Sequence, residues 1–389
     1  MGIRMLNKFL QNKCSSAIKH ITLEELSGKS IAVDTSIYMY KYIGENALLE
    51  NFYLMISFFR KYNIKPIFIF DGKPPVEKNE TIEQRKKIKK NAKEEYNRLN
   101  ILLKESQFDD TTNLTQQDKM EIESTMEKLK KQFIMISHDN IQNVKSLFQA
   151  YGVTYFEAPG EADILCAKFV LKHKVYACLS EDMDMFVYGC PRVLRYLSLT
   201  TESVIMYDLN EILTILDVKI EEFKQICILS GTDYSVCTKN SKLICENIKE
   251  EGNIEICDCC GNIINKNNTE NKKKSSTNND ITIFNSYKLL KKYKDYVNEK
   301  NQYIDISNNI VKGKKKINKK TNNICDFYSW LEIENIIKLD IISLYYISTM
   351  FDLSTFKYLK NYDKILIMNG PISKDMLIDV MKKENFIFL

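Results

Sequence analysis

The chain has no apolar run approaching the roughly 18 residues of a membrane span and no secretory leader. It has three histidines, His20, His138 and His173, and none lies in a motif. Surface positions are expected for them. Nucleophile–histidine pairs therefore drop out of the candidate chemistries. Its eleven cysteines are an odd number, scattered without a secreted-type framework. That excludes a disulfide scaffold and points to free thiols in a reducing, intracellular compartment. Charge of one sign is also lacking: 56 basic against 51 acidic residues leave +5, too mild to imply nucleic acid without local clustering. No internal repeat is visible. Met1-Gly-Ile-Arg-Met-Leu6 has the glycine of a myristoylation signal, but Leu6 stands where Ser or Thr is needed.

What is present is enough apolar residue, 44% of 389, for one large domain or two of ordinary size. Ile31-Ala-Val-Asp34 and Lys65-Pro-Ile-Phe-Ile-Phe-Asp71 are apolar on both faces and end in an acid. Both read as buried strands of a parallel sheet. Between them, Ser36 to Tyr62 is rich in Tyr, Leu, Met and Phe at helical spacing. Open α/β sheets place ligands at the strand ends where these acids fall, although a lone Asp there also serves as a helix cap. After Asp71-Gly-Lys-Pro-Pro75 comes a charged helical stretch, Lys78 to Lys104, in which Lys78 and Arg85 share a face. A polar loop is expected over Ser106–Thr115, and a second charged helix over Thr115–Gln132. Together they suggest a protruding hairpin with little apolar surface, either merely solvated or in contact with phosphate.

The densest signal is Ala158-Pro-Gly-Glu-Ala-Asp163, followed 18 residues later by Glu181-Asp-Met-Asp184. A strand over Val175–Leu179 leads into the second segment. An amphipathic helix is expected over Asp139–Tyr151, a strand over Val153–Phe156, and helices over Ala162–His173 and Leu216–Ser230. The last of these is closed by Gly231-Thr-Asp-Tyr234. Asp34, Asp71, Glu161, Asp163, Asp182, Asp184 and Asp233 thus fall at strand or helix ends. Carboxylates delivered together repel one another, and an oxygen-only donor set suits Mg²⁺ or Mn²⁺ rather than zinc. Phosphoryl chemistry with two ions about 4 Å apart is the natural use.

In this order, Met1-Gly-Ile, Ile31-Ala-Val-Asp-Thr-Ser36, Phe70-Asp-Gly-Lys-Pro-Pro75, Ala158-Pro-Gly-Glu-Ala-Asp163, Ser180-Glu-Asp-Met-Asp184 and Leu229-Ser-Gly-Thr-Asp-Tyr234 resemble the flap endonuclease family, which includes the XPG nucleases. The resemblance covers residues 1–236 well and the remainder weakly. It implies an α/β fold: a PIN-like core with a mainly parallel sheet flanked by helices, a helical arch over about 76–135, and a helical C-terminal region. It also implies a structure-specific 5′ endonuclease with possible 5′–3′ exonuclease activity, acting on flapped or branched DNA in replication, recombination or repair. By motif position, Asp34, Asp71, Glu161 and Asp163 would form a first metal cluster and Asp182, Asp184 and Asp233 a second, the two together making one site with two Mg²⁺ ions that Mn²⁺ could replace. Asp163 stands where the family often has a longer Glu. Lys78 and Arg85 fall at the positions of the catalytic arch cations. Tyr40 falls where a base is stacked near the cut, with core packing as its other reading. Gly2 would lie close to DNA.

The chain also departs from the family. The glycine-rich helix-turn-helix that follows the last acid, and often binds K⁺, is missing. Residues 237–281 read instead as a Cys-containing polar insertion, in which Cys237, Cys245, Cys257 and Cys260 make either a structural Zn²⁺ site or free thiols. Residues 282–389 then form a helical DNA-binding or packing region. It holds a basic helix over Ile283–Val297, a basic run over Lys312–Lys320 and an apolar helical stretch over Phe327–Leu359. No sliding-clamp box is seen over Ile372–Leu389. A monomer without membrane association is expected, intracellular and not secreted, in the nucleus or another site of DNA replication. Two alternatives stay open: a 5′–3′ exoribonuclease, and a binding protein that kept the fold without turnover.

Overall fold

The structure is a computed structural model, and it describes residues 2–108, 115–234, 255–256, 263–264, 281–311, 325–336, 340–356, 362, 365, 367–383 and 386. The chain forms two compact units, one of residues 16–209 with 356–389 and one of residues 1–15 with 210–355.

Helix α1 (Leu6–Lys13) belongs to the second unit, and the first begins at β1 (Ile18–Thr22). β2 (Ser30–Asp34), α2 (Thr35–Gly44), α3 (Leu48–Lys61) and β3 (Lys65–Phe70) make the strand–helix–strand unit that the sequence suggests. Its helical stretch is broken in two at Asn46, which takes a left-handed φ of 54°. α4 (Asn79–Phe108) and α5 (Gln116–Gln132) follow, then α6 (His138–Tyr151), β4 (Thr154–Glu157), α7 (Ala162–Leu171), β5 (Ala177–Leu179), α8 (Asp184–Val187), β6 (Arg192–Ser198) and β7 (Ser203–Asp208). The seven strands form one sheet in the order β1-β7-β6-β5-β2-β3-β4. Strands β6-β5-β2-β3-β4 are parallel, and β7 and β1 add an antiparallel edge. That edge goes unnoticed in the sequence because β1 and β7 alternate apolar and polar residues only weakly.

β2 and β3 are buried on both faces, as their unbroken apolar runs require. Phe52, Phe68 and Phe148 join α3, β3 and α6 at the centre of the core, with Phe68 and Phe148 stacked 4.1 Å apart. Such pairs add about 0.5–1.5 kcal/mol beyond area burial. The chain leaves β2 for β3 and β4 on one side and returns to β5 on the other. The sheet therefore reverses between β2 and β5, the place where doubly wound sheets open a crevice at their carboxyl ends.

The charged hairpin differs from expectation in two ways. α4 continues through Phe108, so residues 106–108 are helix rather than loop, and residues 109–114 lie outside the described residues. The hairpin also has an apolar seam of its own: Ala92, Leu99 and Met126 are buried, and the Tyr96 and Phe133 rings meet edge-on at 5.4 Å. Thr115 starts α5 with a capping box closed by Asp118.

The other unit holds α1, α9 (Leu209–Leu216), α10 (Ile220–Leu229), α11 (Ile283–Val311), α12 (Phe327–Ile333) and α13 (Ile341–Met350). One helix was expected over Leu216–Ser230. It is interrupted at Asp217, whose φ is 52°, and Glu222 restarts it by accepting the Lys219 backbone N–H at 2.7 Å. Phe9 packs edge-on against Phe284 at 5.2 Å, and the Tyr328 hydroxyl donates to the Gln225 carbonyl at 3.0 Å. Within the stretch expected over Phe327–Leu359 the described residues form two helices, α12 packed on α11 and α13 on α10. Cys237, Cys245, Cys257 and Cys260, the basic run Lys312–Lys320 and the missing helix-turn-helix lie outside the described residues.

The two units do not follow the expected boundaries of 1–236, 237–281 and 282–389. α1 packs on α11, which draws the N-terminus into the second unit. The C-terminal α14 (Lys374–Lys382) packs on α6. Gly370 N–H donates to Gly152 O at 2.7 Å and Ser373 N–H to Ala150 O at 2.8 Å, closing the C-terminal segment onto the first unit. Among the described residues no helix is long and apolar enough to cross a membrane.

One backbone approach brings two acidic loops together. Gly72 N–H donates to Gly160 O at 2.7 Å, and a Cβ at Gly72 would lie 1.9 Å from Ala158 O. No side chain fits there. Gly72→Ala is expected to lower the melting temperature by several degrees, in keeping with an overpacking cost of about 1–3 kcal/mol. A thermal melt of the full chain checks it, and an unchanged melting temperature would show that the loops can part freely.

Candidate active site

Three loops at the carboxyl end of the sheet deliver the acids. Asp34 ends β2, is 5% exposed, and takes the N-cap position of α2 without making a side-chain cap bond. The capping explanation for this residue therefore fails. Its Oδ2 accepts from the Ser180 hydroxyl at 3.1 Å, while its Oδ1 is buried without a hydrogen-bond partner. Asp71 follows β3, and its Oδ1 accepts the Ala162 N–H at 2.8 Å. It thus caps α7 from across the crevice, a task that Glu161, the residue at the N-cap position, leaves undone.

Glu161 is instead paired with Lys78, whose Nζ lies 2.6 Å from Oε1, with both side chains largely buried. Lys78 ends the short turn Val76–Lys78 that opens α4. Asp163 stands in the first turn of α7, a helix buried on every face from Ala162 to Val170, and is 6% exposed. Its Oδ1 accepts the Ile164 N–H at 3.0 Å. Asp182 donates its N–H to Ser180 Oγ at 3.1 Å, and its Oδ1 accepts the Asp184 N–H at 3.0 Å. Asp184 is fully buried at the start of α8.

One oxygen from each of Asp163, Asp182 and Asp184 falls within 4.8 Å of the others, close enough to share a metal ion. This trio cuts across the expected pair of clusters, because α7 packs against β2, β5 and α8 alike. Burial pushes the Asp34 carboxyl well above the usual carboxylate range, helped by the charges of Asp71, Asp163 and Asp182. Burial does the same to Asp163, with Glu161, Asp182 and Asp71 adding to the push and Lys78 opposing it. Six of the seven acids therefore share one electrostatic basin. An all-carboxylate donor set with a buried, unpartnered oxygen fits a hard divalent cation.

The seventh acid, Asp233, belongs to the other unit, in the turn behind Gly231, whose φ is 102°. Gly2 belongs there too, with φ 74°. Arg85 is exposed on α4. Tyr40 is 42% exposed on α2, whereas Tyr38, Met39 and Tyr42 are buried, so core packing does not account for it. Lys89 of α4 sits over its ring at 4.9 Å and donates to Ile134 O at 2.9 Å. The three histidines are exposed.

The sequence reading passed over two supports. Ser180 is fully buried and touches both β2 and the Asp182 backbone. Its signal was a hydroxyl closing an apolar strand just before the acids. Arg195 is 5% exposed on β6 and holds Glu181 by its Nη2 to the carbonyl at 3.1 Å and its Nε 3.6 Å from Oε2. No local pattern marks Arg195, since it meets Glu181 only through the parallel pairing of β5 and β6.

The XPG N-terminal domain model matches residues 1–92, and the XPG I-region model matches residues 152–233. Flap endonuclease 1 of Candida tropicalis is 30% identical over 280 residues, which is 66% of this chain and 69% of that protein. Flap endonuclease 1 of Trypanosoma brucei gambiense is 30% identical over 256 residues, 60% of this chain and 61% of that protein. The chain thus spans between six and seven tenths of these relatives' length. Among solved structures, the catalytic core of Rad2 in complex with DNA substrate superposes with a TM-score of 0.57 at 18% identity, covering 98% of this chain and 94% of that one. Human GEN1 in complex with Holliday junction DNA gives 0.51 at 17% identity, covering 99% and 74%. At these identities the likeness is one of fold.

The raised carboxyls set the sign of a stability effect. A group whose folded pKa lies above its unfolded value stabilises below the unfolded value, and that contribution is lost as pH rises through the folded one. In the metal-free chain the melting temperature is therefore expected to fall as pH rises through the range, above that of ordinary carboxylates, in which Asp34 and Asp163 ionise. At a pH above that fall, Asp34→Asn should raise the melting temperature of the metal-free chain by about 3 °C, on the order of 1 kcal/mol. It should also blunt the rise that added Mg²⁺ produces. Thermal melts of both chains with and without Mg²⁺ test this, and an Asp34→Asn variant less stable than its parent would overturn it.

Proposed function

Because the chain belongs to the flap endonuclease family, which includes the XPG nucleases, we propose that it is a metal-dependent, structure-specific 5′ nuclease hydrolysing phosphodiesters in flapped or branched DNA. The observation that carries this reading is the convergence of six carboxylates on one basin at the β2/β5 reversal, with Asp163, Asp182 and Asp184 within sharing distance of an ion. None of the seven acidic positions is empty, which speaks against a protein that binds without turnover.

Mg²⁺, when held there, would supply charge neutralisation of the phosphate and acidification of water. Asp34 would offer Oδ1, Asp163, Asp182 and Asp184 one oxygen each, and Asp71 and Glu161 the outer side of the first cluster. Asp233 joins the ligand set through its motif alone, as Gly2 joins the DNA contacts. Two ions per site are proposed on the same basis.

The arch supplies the cations. Lys78 is poised at the rim on Glu161, a buried positive charge that can transfer its hydrogen bonds to a scissile phosphate. Arg85 lies on the same helix and is exposed for phosphate contact. The exposed Tyr40 ring offers a stacking surface for a base next to the cut, worth about 1–3 kcal/mol in such contacts. A monomer acting at intracellular sites of DNA replication or repair completes the proposal.

The deciding assay compares a 5′-flap duplex, a plain duplex and the corresponding RNA, each with Mg²⁺ and with EDTA. Cleavage of the flap only with Mg²⁺ is expected, Asp182→Ala should bind the flap without cutting it, and Lys78→Ala should slow cleavage by about 100- to 1,000-fold. Full cleavage by the Asp182→Ala chain would remove the assignment, and preferential digestion of RNA would transfer it to an exoribonuclease.

A further inference from the structure

Between the two halves of the basin stands a side chain that is not an acid. Ser180 closes the β5 segment, fully buried, and its own N–H is bonded to Leu194 O of β6 at 3.1 Å. Its hydroxyl lies 3.1 Å from Asp34 Oδ2 and 3.1 Å from the Asp182 backbone nitrogen. A hydroxyl has one proton to give and two lone pairs to accept with. The Asp182 N–H can only donate, so Ser180 accepts from it, and its single proton is directed at Asp34. A chain of three bonds results: Asp184 N–H to Asp182 Oδ1, Asp182 N–H to Ser180 Oγ, and Ser180 Oγ–H to Asp34 Oδ2.

We propose that Ser180 is a positioning residue for both acidic halves, selecting which oxygen of Asp34 meets a divalent cation and fixing the direction in which Asp182 leaves the strand. The inference rests on the reading of the basin as a metal site. Asp34 has two equivalent oxygens, and a carboxylate that can rotate presents either. With Oδ2 engaged, rotation is blocked and the buried, unpartnered Oδ1 becomes the ligand atom. The same hydroxyl bends the chain at Asp182, whose Oδ1 is then engaged by Asp184. Beyond the backbone pairing of β2 and β5, one oxygen thus links the acids at the two strand ends, so neither is aimed independently. Partners of this kind, which orient ligands without touching the metal, typically carry about 10- to 100-fold in metal affinity.

The test uses the full chain in three variants. Ser180→Ala removes the hydroxyl, Ser180→Thr keeps it, and Ser180→Cys keeps the volume with a poor donor. Mn²⁺ affinity is measured calorimetrically without DNA, flap affinity in EDTA, and single-turnover flap cleavage with Mg²⁺, with melting temperatures as a check on folding. Ser180→Ala and Ser180→Cys are expected to bind Mn²⁺ about 10- to 100-fold more weakly and to cleave more slowly. Flap affinity in EDTA should not change, and Ser180→Thr should restore both losses. Parental Mn²⁺ affinity in Ser180→Ala, or in Ser180→Cys should the alanine chain not fold, overturns the proposal. So does a threonine chain as weak as the alanine one. If the unsubstituted chain binds Mn²⁺ and Ser180→Ala weakens it, yet neither cuts DNA, the nuclease reading falls and the positioning role stands.

Discussion

Six carboxylates are held closer together than charge allows in their own company, and the rest of the first unit is arranged around that constraint. Each acid reaches the basin at the end of an element that cannot easily move. Asp34 stands at the end of a strand buried on both faces, and Asp163 stands on a helix buried all round. Retreat into solvent would break up the core rather than relax a loop. The repulsion is instead absorbed locally. Asp34 and Asp163 hold their protons more tightly, Glu161 takes a lysine, and backbone N–H groups are turned onto Asp71, Asp163 and Asp182. A divalent cation replaces several of these partial remedies at once, which is the thermodynamic basis for reading the basin as a metal site.

The same constraint joins the arch to the sheet. α4 and α5 carry a thin apolar seam, too little to fix them without help from the core. One attachment is electrostatic and lies at the basin, and another lies beyond the end of α2, where Lys130 Nζ donates to Asn46 Oδ1 at 3.4 Å. Lys78 is anchored by Glu161, and Lys89, about three helical turns further along, spans Tyr40 and the Ile134 carbonyl. Two of the groups proposed to meet phosphate and base, Lys78 and Tyr40, are therefore among those that hold the arch in place. Substrate would have to compete for them, which makes arch position and substrate engagement a single equilibrium.

How much of this was legible in the sequence follows from range. β2 and β3 were readable because burial on both faces writes an unbroken apolar run, and the acids at their ends were readable because they interrupt it. The break at Asn46 and the one at Asp217 were not, since a single left-handed residue leaves almost no trace in apolar spacing. β1 and β7 were hidden for the opposite reason: they form the antiparallel margin of the sheet, where apolar and polar residues alternate only weakly. The site divides in the same way. Which acids take part was visible in local motifs. How Asp163 comes to lie with Asp182 and Asp184 was not, because that depends on α7 packing across three strands.

Glu181 shows why counting acids is not enough. It adjoins Asp182 in the richest acidic segment of the chain, yet its Oε1 accepts the Tyr196 N–H at 2.6 Å and its Oε2 faces the buried Arg195 guanidinium. Tyr196 takes a left-handed φ of 56° where the β6–β7 register slips, and that irregularity turns its N–H towards Glu181. One carboxylate of the segment is thus spent on holding the loop to β6, and this leaves Asp182 and Asp184 to face the basin. Beyond Asp182 the chain turns into α8, with Met183 already in the helical region and the Asp184 N–H closing on Asp182 Oδ1 at 3.0 Å. The Glu181–Arg195 pair anchors the loop to β6, and the turn that follows it carries Asp182 and Asp184 to the basin.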